Sequence, residues 1–408
     1  MGAFSPFYYF AGMALLFALA ATPALRLADD PAAGAARVST LDGLRGFLAL
    51  AVVFHHAAIY RQFIADGRWV APPSSFYVLL GQVGVSLFFM VTGYLFWTKC
   101  IRARGLPPWR SLYIGRLFRI GPLYGVAIAA MLAIVFARTG PTLREPGPAL
   151  IRHILDWSLL GYRFGPDVNG YSQTFTTLAG VTWTLHYEWL FYASLILTAL
   201  FARSLRTHLV LPLLGLVVGV SLTVAGRGGV HSPAPDAVIL ALFSAGMLAA
   251  SLQQAELIPP LGDGLASVLA LGLLAALFTT ASSAYAGTPI VLMALIFVLV
   301  SNGCSLFGLF HSRPAQRLGA ISYGVYLLQG LPLALLFASP WARGQALASG
   351  LAHWEISWLA AALLVLAATL AHAAIERPGI ALGRRIAVWA EPATRPRSEG
   401  RAMPQPPG

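Results

Sequence analysis

The sequence predicts an all-α protein, a polytopic transmembrane bundle of about eleven helices. Two observations carry that prediction. Of the 408 residues, 58% are hydrophobic and only 10% are charged, against about 25% charged in ordinary soluble domains. The apolar residues also gather into runs close to the roughly 20 residues a helix needs to cross a bilayer. These runs occupy 6–24, 42–61, 76–98, 113–137, 183–202, 208–225, 237–254, 264–282, 289–310, 319–338 and 355–375. A net charge of +12 would suggest nucleic acid in a soluble protein. Here the basic residues lie in short loops between apolar runs, so they report topology and anionic headgroups, and no nucleic-acid partner is expected. Cys100 and Cys304 are expected to form neither a disulfide framework nor a metal site.

The run at 6–24 lacks the basic start of a signal peptide and is read as a retained membrane helix. Residues 1–39 thus make one transmembrane helix and a linker. Residues 40–380 make the membrane domain, and 381–408 a basic, largely disordered tail. The loops carrying Lys99, Arg102, Arg104 and Arg110, then Arg203 and Arg206, then Arg313 and Arg317, share one side with that tail if the runs alternate. Positive-inside bias assigns that side to the cytoplasm, with the amino terminus outside. This arrangement requires 138–182 to stay outside. Its apolar run 149–161 is too short to span and carries Arg152 and Asp156, as an interfacial or re-entrant helix does. RFGPDVNGYSQTF, residues 163–175, is then the longest outward loop. It is either a lid that touches an acceptor or a solvated linker. No internal repeat is found.

Chemistry concentrates in four stretches. TLDGLRGFLALAVVFHHAAIY, residues 40–60, sets Arg45 and His56 eleven positions apart. That is about three helical turns, so they share a face roughly 16 Å apart along the axis. His55 is turned about 100° off that face. Ionisable groups inside a membrane helix are expensive and default to a functional reading; the plainer reading is a snorkelling anchor and a packing histidine. FFMVTGYLF, residues 88–96, places Thr92 and Gly93 where small residues let helices approach closely. YIGRLFRIGPLY, residues 113–124, aligns Arg116 and Arg119 three apart on one face. With Arg45 they form either a phosphate clamp or topological anchors. TWTLHYEWLFY, residues 182–192, holds His186 and Glu188 among Trp183, Trp189 and Tyr192. If that helix starts at the outer boundary, Glu188 lies at the depth of His56 and within reach of a shared hydrogen bond.

Taken together, the segments resemble the membrane-bound acyltransferase 3 family. Its Arg-or-Lys, ten residues, His motif resembles Arg45 and His56, with Asp42 in the same stretch. Its FF-x-x-S-G-F segment is similar to FFMVTGYLF, with Thr92 in the Ser position. Its R-x-x-R-x-x-P-x-Y segment is similar to RLFRIGPLY, matching Arg116, Arg119, Pro122 and Tyr124. Its W-S-L-S-V-E-W-x-F-Y segment is similar to WTLHYEWLFY, matching Trp183, Glu188, Trp189, Phe191 and Tyr192. SYGVYLLQ (322–329), containing Tyr326, and IERP (375–378) also resemble the family. The resemblance spans about 40–380. Gln329 stands where members commonly have His.

The resemblance implies a ten-helix acyltransferase core preceded by one extra helix. It implies an integral-membrane O-acyltransferase, set in a bacterial inner membrane, that moves an acetyl or other short acyl group from acyl-CoA to a carbohydrate hydroxyl. Acyl-CoA is then a co-substrate, and no bound cofactor is expected. His56 and Glu188 are the expected catalytic pair, and Arg45, Arg116 and Arg119 the donor-binding group. Asp42, Thr92, Trp183, Tyr192 and Tyr326 would support them. The competing reading is a proton-coupled transporter or flippase using the same intramembrane His, Glu and Arg. Its expected sign is a pair of matching broken-helix repeats.

Overall fold

A computed structural model describes residues 2–29, 38–140, 142–161, 165–226 and 236–390. The chain is an all-α polytopic bundle, and no β-strand is formed among the described residues. In order, the helices are α1 (Phe7–Ala21), α2 (Ser39–Asp66), α3 (Ser75–Arg102), α4 (Trp109–Thr139), α5 (Gly147–Ser158), α6 (Trp183–Thr198), α7 (Leu205–Val224) and α8 (Asp236–Gln254). They continue with α9 (Asp263–Thr280), α10 (Gly287–Ser301), α11 (Arg313–Ala320), α12 (Ser322–Leu328), α13 (Gly330–Leu336), α14 (Pro340–Ala348), α15 (Gly350–Ala371) and α16 (Arg377–Ala390). Eight described helices are long and apolar enough to cross a membrane: α2, α3, α4, α6 with its 3-10 extension, α7, α8, α9 and the α15–α16 stretch. α1 and α10 are shorter apolar helices.

Helix contact in a membrane is set by how closely backbones approach, and small residues decide that. The crossing of α3 on α8 has no room for side chains at two points. A Cβ on Gly93 would lie 2.4 Å from the Phe243 carbonyl oxygen, and one on Gly246 would lie 2.0 Å from that of Met90. The start of α2 meets the 309–320 region in the same way. A Cβ on Gly43 would sit 2.1 Å from the Phe310 carbonyl oxygen, and one on Gly319 would sit 1.9 Å from that of Asp42. α2 is therefore held between α3 on one flank and α11 and α12 on the other.

Three parts differ from the sequence expectation. The run 319–338 is not one helix: it is broken into the end of α11, then α12 and α13. The last apolar run does not stop at 375. α15 passes through a π-helical turn, His372–Glu376, into α16, which packs on α4 and continues to Ala390. The rest of the expected tail, 391–408, lies outside the described residues, as does the expected linker at 30–37.

The third difference concerns 138–182, expected on the outer side of the membrane, with 163–175 read as a lid or a solvated linker. α5 is there, but the described part after it, 165–182, is folded inward. Val168, Asn169, Thr174 and Leu178 are buried. Asn169 satisfies the surrounding backbone: its Oδ1 accepts from the Arg144 amide at 2.8 Å, and its Nδ2 donates to Thr139 Oγ1 at 2.9 Å. A 3-10 turn, Thr174–Leu178, then packs on α13. Irregular backbone is tolerated at such depth where protein covers it. Arg163 and Phe164, in the stretch read as a lid, lie outside the described residues.

At the basic end, one buried arginine ties the first helix to the core. Arg317, 3% exposed, bonds Asp29 at 2.6 and 3.0 Å and donates to the carbonyls of Ala20 and Thr22 at 2.8 and 2.9 Å. Arg313, 70% exposed, reaches the same carboxylate at 2.8 Å. Side-chain hydrogen bonds from Arg317 and then Arg313 hold the Asp29 carboxyl well below the usual carboxylate range. A carboxyl lowered on folding stabilises above its unfolded value of about 3.9 and loses that contribution as pH falls through the folded value. Arg317→Met should cost about 1–3 kcal/mol, because it leaves the carbonyls of Ala20 and Thr22 without their buried donor. Arg313→Met should cost under about 1 kcal/mol. Thermal unfolding of the purified variants at neutral pH checks the ordering; equal losses would contradict it.

Candidate active site

The sequence places cations at one end of α2, α3 and α4, and packing draws them together. Arg45 on α2 has Asp42, Arg116, Glu376 and Glu188 as its charged neighbours. Arg119 on α4 has Arg45, Arg116 and Glu376. Asp42 is 3.6 Å from Arg45, one turn earlier on the same helix. Arg116 spreads its guanidinium over two rings, 4.6 Å from the Phe96 centroid and 5.1 Å from that of Tyr192. Lys99 covers the Phe96 ring at 5.1 Å. The buried Nε of Arg116 has no hydrogen-bond partner among the described residues. Like charges held this close need an anion to face, and guanidinium forks suit carboxylate or phosphate oxygens.

Glu188 belongs to this cluster. It accepts a 2.5 Å hydrogen bond from Tyr192, one turn further along α6. The sequence expectation that Glu188 stands level with His56 and shares its hydrogen bond is therefore corrected. Glu188, five residues past the start of α6, meets Tyr192 and the arginines, while His56 meets Gln329. The contacts mark the offset. Thr184 on α6 meets the Tyr326 hydroxyl on α12 at 3.1 Å. From that level Glu188 lies one turn toward the basic end, and Gln329 one turn the other way. His56 pairs with Gln329, Nδ1 to Oε1, at 2.9 Å. The two expected catalytic groups are thus about 10 Å apart in depth at 1.5 Å of rise per residue.

The two neighbouring histidines separate as their helical phase predicts. His55 Nδ1 donates to the Tyr77 carbonyl at 2.8 Å, and its ring fills the space above Gly81, where a Cβ would lie 2.4 Å from it. It is a packing histidine. His56 faces the bundle interior. Its ring lies against Trp69, at 6.0 Å between centroids and 23° between planes. Trp69 in turn meets Tyr60, Phe63 and Phe175 edge-on. The imidazole therefore has an aromatic roof formed by the α2–α3 loop and the inward-folded segment.

The remaining expected supports are spread out. Thr92 is buried in α3 beside the α3–α8 glycine contact. Trp183 opens α6 against Phe89 at 6.1 Å and Tyr187 at 5.9 Å. Tyr326 links α12 to Thr184 and packs on Phe88 at 5.9 Å. An apolar cleft between α6, α7 and α8, lined by Tyr187, Phe191, Pro212 and Phe243 among others, contains none of the site residues.

Three neighbours were not assigned from sequence: Trp69, Gln329 as the partner of His56, and Glu376. Glu376 is 2% exposed in the π-helical turn. Its Oε2 faces His372 Nδ1 at 3.2 Å, while its Oε1 has no partner among the described residues. The sequence signal for it was an ionisable residue, in IERP, at the end of an apolar run.

This constellation, a basic cluster and an interior histidine on one membrane helix, is the frame in which comparison with known proteins is informative. The chain belongs to the acyltransferase 3 family, whose acyltransferase domain model matches residues 38–375. It is a membrane acyltransferase. It is similar to the exopolysaccharide production protein ExoZ of Rhizobium meliloti (strain 1021), with 28% identity over 321 residues, covering 75% of this chain and 91% of that protein. No solved structure matches the chain.

Gly330 carries the seam between His56 and the inward segment. A Cβ there would lie 2.4–2.5 Å from backbone atoms of Thr177, Leu178 and Ala179. Gly330→Ala should therefore lower stability by about 1–3 kcal/mol through overpacking and reduce acyl transfer in parallel. Unfolding temperature and turnover of the purified variant check this; an unaffected protein would mean that the two segments separate freely.

Proposed function

We propose that this protein is an O-acyltransferase that moves an acetyl or other short acyl group from acyl-CoA to a hydroxyl of a carbohydrate. The observation that carries the reading is the alignment on α2 of a basic cluster and, roughly 16 Å further along the helix, the His56 imidazole. Phosphates of CoA held by Arg45, Arg116 and Arg119 leave the extended pantetheine arm to carry the thioester toward His56. The imidazole takes the proton of the acceptor hydroxyl as its oxygen attacks the thioester carbonyl. Collapse of the tetrahedral adduct breaks the C–S bond. The imidazolium returns the proton to the CoA sulfur, and the products are an ester and free CoA. Glu188, hydrogen-bonded to Tyr192, balances the arginine charge instead of sharing the histidine's proton. The acceptor is proposed to be a sugar of a surface polysaccharide or its lipid-linked precursor. The likeness to a protein named for exopolysaccharide production supports that choice.

The donor side is proposed to be cytoplasmic, in a bacterial inner membrane, with the amino terminus outside. Cysteines placed at Ser111 and Ser312 should be protected from an impermeant thiol reagent in intact cells, and one at Ser172 should label. Labelling at Ser111 would reverse the orientation.

Purified protein supplied with acetyl-CoA and a glycan acceptor should release free CoA and gain an ester on the glycan. His56→Ala should lower kcat about a hundred- to ten-thousandfold, the range of a general base, while His55→Ala keeps most activity. Arg116→Ala and Arg119→Ala should raise KM for acyl-CoA roughly ten- to a hundredfold and leave that for the acceptor near parental. Normal acyl-CoA kinetics in both would reduce the arginines to topological anchors.

A further inference from the structure

His56 and Gln329 meet across the bundle, and their surroundings decide which atom faces which. The amide nitrogen of Gln329 donates to the Tyr326 carbonyl oxygen at 2.7 Å. A carbonyl oxygen only accepts, so the NH2 group is committed to that side. The reverse orientation would set oxygen against oxygen. Oε1 is therefore the atom 2.9 Å from His56 Nδ1. An amide oxygen also only accepts, so Nδ1 must carry a hydrogen. The Val52 carbonyl, one turn earlier on α2 and within hydrogen-bond reach of the ring, is again an acceptor. In a neutral imidazole with hydrogen on Nδ1, the lone pair is on Nε2.

The surroundings prevent exchange of these roles. Gln329 is 1% exposed, so water does not compete for its amide. The His56 ring contacts Trp69, nearly parallel at 6.0 Å, and the His55 ring, tilted by 67° at 5.0 Å. Trading Nδ1 for a carbon would also break its bond to Gln329.

We propose that Gln329 is a positioning residue for acyl transfer: it holds His56 in the tautomer with hydrogen on Nδ1, leaving Nε2 to take the proton of the acceptor hydroxyl. The chain of bonds is Tyr326 carbonyl, Gln329 amide, His56 imidazole. It is the arrangement in which a group behind the base fixes which nitrogen is basic. An amide does this without adding a charge, where a carboxylate would place a buried anion. The proposal rests on His56 being the base.

The test uses the full-length protein in bilayers and reads tautomer and turnover separately. In 15N-histidine-labelled protein, with His56→Ala used to assign the resonance by difference, solid-state NMR should show a protonated Nδ1 and an unprotonated Nε2 for His56. Gln329→Met, similar in length but without an acceptor, should show both tautomers. It should lose roughly ten- to a hundredfold in kcat, with KM for acyl-CoA and acceptor unchanged. Gln329→Glu, which restores an acceptor oxygen, should recover most of that kcat. Hydrogen on Nε2 in the parent overturns the proposal. So does parental kcat in Gln329→Met when His56→Ala is inactive. Full transfer in His56→Ala would sink the base assignment instead, and the spectrum then still decides for or against the tautomer.

Discussion

The hydrogen bond between His56 and Gln329 joins residues 273 positions apart, and much of the architecture exists to let it form. An imidazole in an apolar bundle must be met by a polar partner, because an unsatisfied polar group there costs several kcal/mol. Gln329 stands at the junction of α12 and α13, itself in helical backbone conformation. Gly330, the next residue, lies directly against the backbone of 177–179, at the end of the 3-10 turn Thr174–Leu178. Beyond that turn the chain enters α6, which carries Glu188 to Tyr192 and the arginines.

The cluster illustrates the same constraint with charge. Arg45, Arg116 and Arg119 are held near one another, and the carboxylates of Asp42, Glu188 and Glu376 are the charges set among them. Aromatic faces do part of the work: Phe96 and Tyr192 lie beneath the Arg116 guanidinium. Such contacts supply favourable electrostatics without neutralising the cation. The Nε of Arg116 accordingly stays without a hydrogen-bond partner among the described residues.

Most of the fold was legible in the sequence because each span announces itself by length and apolar content. The helical phase of α2 set His55 and His56 in different directions, and in the fold they meet different partners, the Tyr77 carbonyl and Gln329. Misreadings arose where a segment's polarity disagrees with its depth. Residues 165–182 look like an outward loop because they are rich in Gly, Asn, Ser and Thr. Those side chains instead satisfy nearby backbone inside the bundle, as Asn169 does for the Arg144 amide and Thr174 for the Tyr171 carbonyl. Depth counted from an assumed outer boundary then misplaced Glu188. Gln329 as a partner was hidden for a different reason. A contact over 273 positions leaves no local periodicity to detect.

The π-helical turn at His372–Glu376 has a consequence for how this chain tolerates change. A π-turn is an α-helix carrying one surplus residue. Its wide turn absorbs the surplus, so relaxing the same residues into ordinary α-helix would turn everything beyond it by roughly 100°, one residue's worth of rotation. The glycines of α16 that nestle against Phe118 and Pro122 of α4 would then rotate away from their seat. Glu376 would be carried off the arginines. The wide turn therefore fixes both the docking of α16 and the place of Glu376 among the arginines.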